Sequence, residues 1–100
     1  MKALPREFYK YFWDTKPEEI DIEKYDKYVI ERILEWGRTA DYRWLIAEYG
    51  RKRLIEILVK SRQLSIKSAN FLATIWDIPK EEVLCLQPEF RRIHRQHWSR

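Results

Sequence analysis

The chain has 100 residues and a formal net charge of +4, the length of one domain, with no room for a second. Hydrophobic residues make up 45% and aromatic residues 15%, five of them Trp, enough for a core without disulfides or metals and with aromatic surface left for an interface. Two Gly and four Pro argue against a sheet with many tight turns, and no apolar run reaches the length of a membrane span.

Leu4 to Trp13 is an aromatic lead containing Phe8, Tyr9, Tyr11 and Phe12. Pro5 can open a short helix here, and the arm is expected to pack through alternate aromatics. Asp14 to Asp21 reads as a loop, with Pro17 as a helix breaker. A first helix is expected over Ile22–Trp36 with Asp21 as N-cap. Ile22, Val29, Ile33 and Trp36 form its inner face, Tyr25, Ile30 and Leu34 widen it, and Gly37 ends it.

A second helix is expected over Ala40–Tyr49 with Thr39 as N-cap and Gly50 as its stop. Tyr42, Leu45, Ile46 and Tyr49 make its buried face. Trp44 points almost opposite, either under the aromatic arm, the preferred placement, or toward a partner. A third helix, Lys52–Lys60, carries a nearly continuous apolar run from Leu54 to Val59 and is expected to be the most buried element. Lys52, Glu56 and Lys60 form its solvent stripe.

After a turn at Ser61–Leu64, Ser65 caps a fourth helix running to Trp76. Ile66, Ala69, Leu72, Ala73 and Trp76 face inward, and Lys67, Asn70 and Thr74 outward. Pro79 then suits the first position of a short helix through Leu86. From Pro88 the tail reads as a basic amphipathic helix, with Phe90, Ile93, His94, His97 and Trp98 on one face. The expected architecture is all-α: one domain over residues 1–100, a compact bundle of about five helices with its core near residues 11–86, an N-terminal aromatic arm and a basic C-terminal helix.

Charge is uneven. Residues 1–50 hold nine Lys/Arg against eleven Asp/Glu, and residues 51–100 hold eleven against five. Arg51, Lys52, Arg53, Lys60, Arg62 and Lys67 are candidate phosphate contacts for nucleic acid. Leu64-Ser65, Ala69, Phe71-Leu72-Ala73 and Trp76-Asp77-Ile78-Pro79 are spaced like a helix-turn-helix. The helix after that turn would carry Lys80, Glu81, Glu82 and Val83, whose carboxylates face phosphates badly, so two packed core helices are the preferred reading.

Catalytic candidates are thin. Arg92 and His97 have the spacing of all-helical ribonucleases of the HEPN class, but Ile93 stands where that class has a polar residue. His94 and His97 could share a metal only with a third ligand, and Arg neighbours repel cations. Cys85 stands alone and reads as a small buried hydrophobe in a reducing compartment. No catalytic, cofactor-binding or metal residue is expected. Met1 to Lys10 lacks the apolar run of a signal peptide, so the expected location is the cytoplasm, without membrane contact.

Several stretches occur together in a recognisable order. They are Tyr11-Phe12-Trp13-Asp14, Tyr28 to Gly37, Arg43-Trp44-Leu45, Tyr49-Gly50, Ser61-Arg62, Leu64-Ser65, Ala69-Asn70-Phe71, Ile78 to Glu82 and Cys85-Leu86. This string resembles a family of small uncharacterised prokaryotic proteins classed as a domain of unknown function, over about three quarters of the chain. Two departures are Ile66, where Pro is expected after Ser65, and Asp77, where Gly is expected. Members are often encoded beside nucleotidyltransferases of the abortive-infection toxin type. The resemblance therefore implies a protein-binding module, an antitoxin-like or accessory partner of such an enzyme. Trp44, Arg62, Asn70, Phe90, Arg91, Arg92 and Trp98 are the candidate contacts, aromatics as anchors and Arg as partners for acidic groups. A nucleic-acid-binding regulator with a helix-turn-helix-like motif is the alternative.

Overall fold

Pro5, at φ −58°, leads the chain into a 3-10 helix over Arg6–Tyr11. The computed structural model describes residues 1–87; the expected tail helix, with Phe90, Arg91, Arg92, His94, His97 and Trp98, lies outside the described residues. The α-helices among the described residues are α1 (Asp26–Trp36), α2 (Tyr42–Tyr49), α3 (Arg51–Lys60) and α4 (Ile66–Ile75), interspersed with short 3-10 turns. The extended pairing among the described residues is one isolated bridge between Ala3 and Asp21. The chain is all-α, as expected, and groups into two compact units, Met1–Leu54 and Ile55–Arg100.

In the first unit the arm buries Leu4, Phe8, Tyr11 and Phe12. This spacing is helical, not alternate as expected, because the arm is a 3-10 helix and not an extended strand. The loop after it holds a further 3-10 turn, Pro17–Glu19, with Pro17 at its start. The Asp21 carboxylate accepts the Glu23 N–H at 3.1 Å, so it closes a turn before α1 and does not cap the helix itself. α1 therefore starts at Asp26, four residues later than expected.

α1 packs against the arm and against α2, burying Val29, Ile30, Ile33 and Leu34. Two of its expected inner residues turn outward, Tyr25 and Trp36. Tyr25 is the N-cap, at φ −109°, off the helical wheel, and Trp36 is the last helical residue. Gly37 is extended, not left-handed; it is glycine because a Cβ there would lie 2.6 Å from the Ile33 carbonyl oxygen. Gly50, at φ +86° and ψ 148°, does need the freedom of glycine.

α2 is preceded by a 3-10 turn, Thr39–Asp41. Thr39 is the first residue of that turn and not the cap of α2; the cap position falls to Asp41, whose carboxylate makes no cap bond to α2 and instead reaches back to the Arg38 N–H at 2.9 Å. Phe8 of the arm packs on Trp44, which draws the buried side of α2 toward Trp44 and leaves Ile46 exposed, contrary to expectation. The Tyr42 hydroxyl donates to the Leu34 carbonyl at 3.3 Å and the Tyr49 hydroxyl to that of Ile22 at 2.8 Å.

α3 buries Leu54, Ile57 and Leu58, while Ile55 and Val59 are only half-buried. It is thus less buried than α1, because its apolar run wraps beyond the width of the covered face. Lys52, Glu56 and Lys60 form the exposed stripe expected of them.

In the second unit, buried Ser61 shapes the turn into α4. Its Oγ accepts the N–H groups of Gln63 at 3.1 Å and Leu64 at 3.3 Å, and its carbonyl accepts the Cys85 thiol at 2.9 Å. Ser65 caps α4 as expected, its Oγ accepting the Ser68 N–H at 3.1 Å. Ala69, Leu72, Ala73 and Trp76 face inward; Ile66, the first helical residue, does not. At the far end the Ile78 N–H bonds the Ala73 carbonyl and the Asp77 N–H that of Thr74, a Schellman closure with Asp77 at φ +54°. The expected helix through Leu86 is two 3-10 turns, Lys80–Glu82 and Leu84–Leu86, divided by extended, buried Val83. Pro79 stands just before the first of them.

Asp77 holds a left-handed conformation that glycine adopts without steric cost. Asp77→Gly is expected to stabilise the protein by about 0.5–1 kcal/mol, read as a rise in Tm on thermal denaturation.

Candidate interaction surface

Tyr28, Arg32 and Trp36 are four residues apart on α1 and form a stripe beside its buried face. The end of the aromatic arm meets this stripe. Arg32 donates from Nη1 to Asp14 Oδ1 at 2.9 Å and from Nη2 to Asp14 Oδ2 at 3.1 Å, a bidentate pair. Nη1 also reaches the Tyr11 carbonyl at 3.1 Å, and Nη2 the Tyr28 hydroxyl at 3.2 Å. The guanidinium carbon lies 5.0 Å from the centre of the Trp13 ring, 5.2 Å from Tyr28 and 5.6 Å from Phe12. One cation thus gathers three rings, its side chain only 15% exposed.

Outward of Arg32 the rings are open to solvent. Trp13 is 62% exposed and Trp36 56%, and the two meet edge-to-face at 5.4 Å. Two Trp this exposed in contact with one another form an apolar patch, not scattered surface residues. Beside it Tyr25 and Tyr28 form one bank of a groove of about 390 Å³, with Thr15, Lys16, Glu19 and Ile20 on the other.

The arm is tied down a second time on its other side. The Tyr11 hydroxyl donates to Asp41 Oδ2 at 2.6 Å, the same oxygen that accepts the Arg38 N–H. Burial, followed by the Asp41 carboxylate, pushes the Tyr11 phenol above its usual range. Burial likewise raises Tyr49. The hydrogen bonds from Arg32 hold the Asp14 carboxyl below the usual carboxylate range.

The residues singled out in the sequence fall elsewhere. Trp44 is half-buried, 4.9 Å from the Phe8 ring and 6.0 Å from Tyr49, the placement preferred for it. Arg62 and Asn70 are exposed in the second unit. Phe90, Arg91, Arg92 and Trp98 lie outside the described residues. Of the basic group, Arg51, Lys52, Lys60, Arg62 and Lys67 are exposed, and Arg53 is paired with Asp26 at 3.0 Å. The segment expected to be the recognition helix is the three-residue turn Lys80–Glu82, too short to lie along a groove of DNA. Among the described residues no three His, Cys, Asp or Glu side chains gather as metal ligands, and no helix is long and apolar enough to cross a membrane.

The Trp13–Trp36 surface is absent from the sequence-based candidates. The signal was the outer stripe Tyr28, Arg32, Trp36 together with Asp14, the carboxylate that follows the arm's last aromatic.

Arg32→Ala is expected to destabilise the protein by about 2 kcal/mol, from lost hydrogen bonds and ring contacts in a part-buried site. Arg32→Lys should restore only part of this, since an ammonium cannot make the fork. Asp14 has a folded pKa below its unfolded one, so its contribution is present above the unfolded value, about 3.9, and is lost as pH falls through the folded value. The stability gap between the wild type and Asp14→Asn should therefore be full at neutral pH and close below about pH 4 in denaturant titrations.

The arm from Phe8, the Arg32–Asp14 clamp, the Tyr11–Asp41 bond and the exposed Trp pair all fall inside one matched segment. Residues 8–58 match a family of unknown function (DUF6922). No curated protein and no solved structure matches the chain. With half of its length so matched, the chain belongs to the DUF6922 family.

Proposed function

We propose that the chain is a non-catalytic protein-binding module of the cytoplasm, docking through the Trp13–Trp36–Tyr28 surface of its first unit. The observation that carries this reading is the pair of exposed, mutually packed Trp rings seated beside Arg32. Burying such an anchor releases water from a large apolar area, and the clamp reduces the ordering needed on binding. The family resemblance supplies the partner class: a nucleotidyltransferase of the toxin type in a prokaryote, which the chain restrains or positions as an antitoxin-like accessory. Arg62 and Asn70 of the second unit and the tail residues Phe90, Arg91, Arg92 and Trp98 stay separate candidate contacts for the same partner, and Trp44 packs on Phe8 of the arm.

A second reading is nucleic-acid binding. It is favoured by the exposure of Lys60, Arg62 and Lys67 in the second unit, none of them in an ion pair among the described residues. That mode depends steeply on salt.

The test is an affinity pull-down from the native cells with and without nuclease, bound proteins being identified by mass spectrometry. A nucleotidyltransferase retained after nuclease is the expected outcome. The Trp13→Ala/Trp36→Ala double variant should keep its helical circular dichroism and weaken that complex by about thirtyfold or more. Unchanged binding by the double variant would remove this surface from the proposal. Loss of all co-purifying protein on nuclease treatment would favour the second reading.

A further inference from the structure

We infer that the segment this surface takes is a proline-rich stretch of the partner in the polyproline II conformation, with a basic residue beside it, lying in the groove between residues 15–20 and the first turn of α1. The inference rests on the protein-binding reading above and specifies its ligand chemistry.

The groove is lined by Thr15, Lys16, Glu19, Ile20, Tyr25 and Tyr28, with buried Ile20 giving it an apolar wall. Its hydrogen-bonding groups are the two phenols on one side and Thr15, Lys16 and Glu19 on the other, and Lys24 Nζ lies 5.4 Å from the centre of the Tyr25 ring. Tyr28 accepts from Arg32 Nη2, which leaves its own O–H hydrogen free to donate. Tyr25 is exposed and forms no hydrogen bond from its hydroxyl among the described residues. The tyrosine bank therefore offers two donors on an aromatic surface.

Peptides are bound by strand addition, as helices in a groove, as polyproline II chains or through acidic and phosphorylated motifs. Strand addition needs a sheet edge, and the described residues contain one isolated bridge. An acidic or phosphorylated motif needs free Arg, and Arg32 is held by Asp14. A docked helix satisfies its own backbone internally except at its last turn, so along its length it offers the phenols no carbonyl. A polyproline II chain has no internal hydrogen bonds, so its carbonyls stand free to accept, and its rings stack on aromatic walls. Charge favours a basic flank. Glu18 and Glu19 stand on the turn beside Lys16, whose own contact with Glu19 is loose at 3.8 Å and largely exposed.

The test is a titration of the isotope-labelled full chain, followed by amide and indole NMR shifts, with three synthetic probes. These are a decaproline peptide bearing one terminal Arg, a Gly/Ser peptide of equal length with the same Arg, and an amphipathic helical peptide. Saturable shifts confined to residues 13–28 are expected with the proline probe alone. Removing its Arg should weaken it by about threefold. Tyr25→Phe, which leaves the Arg32 clamp intact, should weaken it by about fivefold, and Tyr25→Phe/Tyr28→Phe further. No shift at about 1 mM proline probe, shifts elsewhere, or preference for the helical or Gly/Ser probe would overturn the inference. If the cellular partner is still lost with the Trp13→Ala/Trp36→Ala variant while the proline probe fails, the protein-binding reading stands and this ligand assignment falls.

Discussion

The first unit depends on where a single guanidinium sits. Arg32 projects from α1, the most buried helix among the described residues, and makes five contacts with the arm and its end: both oxygens of Asp14, the Tyr11 carbonyl, and the faces of Phe12 and Trp13. A 3-10 helix of six residues has little stability alone, so the arm needs tertiary anchors to stay in place. Phe12 and Phe8 provide them on the apolar side, and Arg32 and Asp41 on the polar side. The same guanidinium fixes the Tyr28 hydroxyl, so the packing of the arm and the shape of the exposed surface are set together.

Asp41 does comparable work where α1 passes to α2. Its Oδ2 takes the Arg38 N–H and the Tyr11 hydroxyl, and stands where a Cβ at position 37 would come within 3.2 Å. Glycine at 37 is explained first by the Ile33 carbonyl oxygen 2.6 Å from where a Cβ would stand and then by the Asp41 carboxylate, while glycine at 50 is explained by its own backbone angles. Two glycines that look alike in the sequence as helix stops serve different physical ends.

Much of the fold was legible because it follows short-range rules. The Ser65 cap, the inward faces of α1 and α4, the solvent stripe of α3 and the half-buried Trp44 all follow from spacing and side-chain chemistry. What escaped was set by contacts distant in sequence. Trp36 lies within about 20° of Val29 on a helical wheel, so periodicity alone puts it in the core. Its outward position comes from being the last residue of α1 and from its partner Trp13, twenty-three positions earlier. Thr39 lies inside the 3-10 turn before α2, which Asp41 ties back to the Arg38 N–H and to the distant Tyr11 hydroxyl. The late start of α1 reflects Asp21 bonding back to Glu23 and pairing with Ala3. The candidate surface was missed for the same reason, since it is assembled from residues 12–14 and 28–36 and from no single motif.

Arg32, 5.0 Å from the Trp13 ring, holds the Trp13–Trp36 pair in its edge-to-face geometry. Two indoles in edge-to-face contact couple their excited states, which gives a far-ultraviolet exciton couplet in circular dichroism. The most direct measurement compares that couplet in the wild type, in Trp36→Phe and in Arg32→Ala. A couplet abolished by Trp36→Phe and strongly reduced by Arg32→Ala, with helical bands retained in both, is the predicted result. A couplet that survives Arg32→Ala unchanged would mean that the Trp pair orders itself without the clamp, and the account would be contradicted.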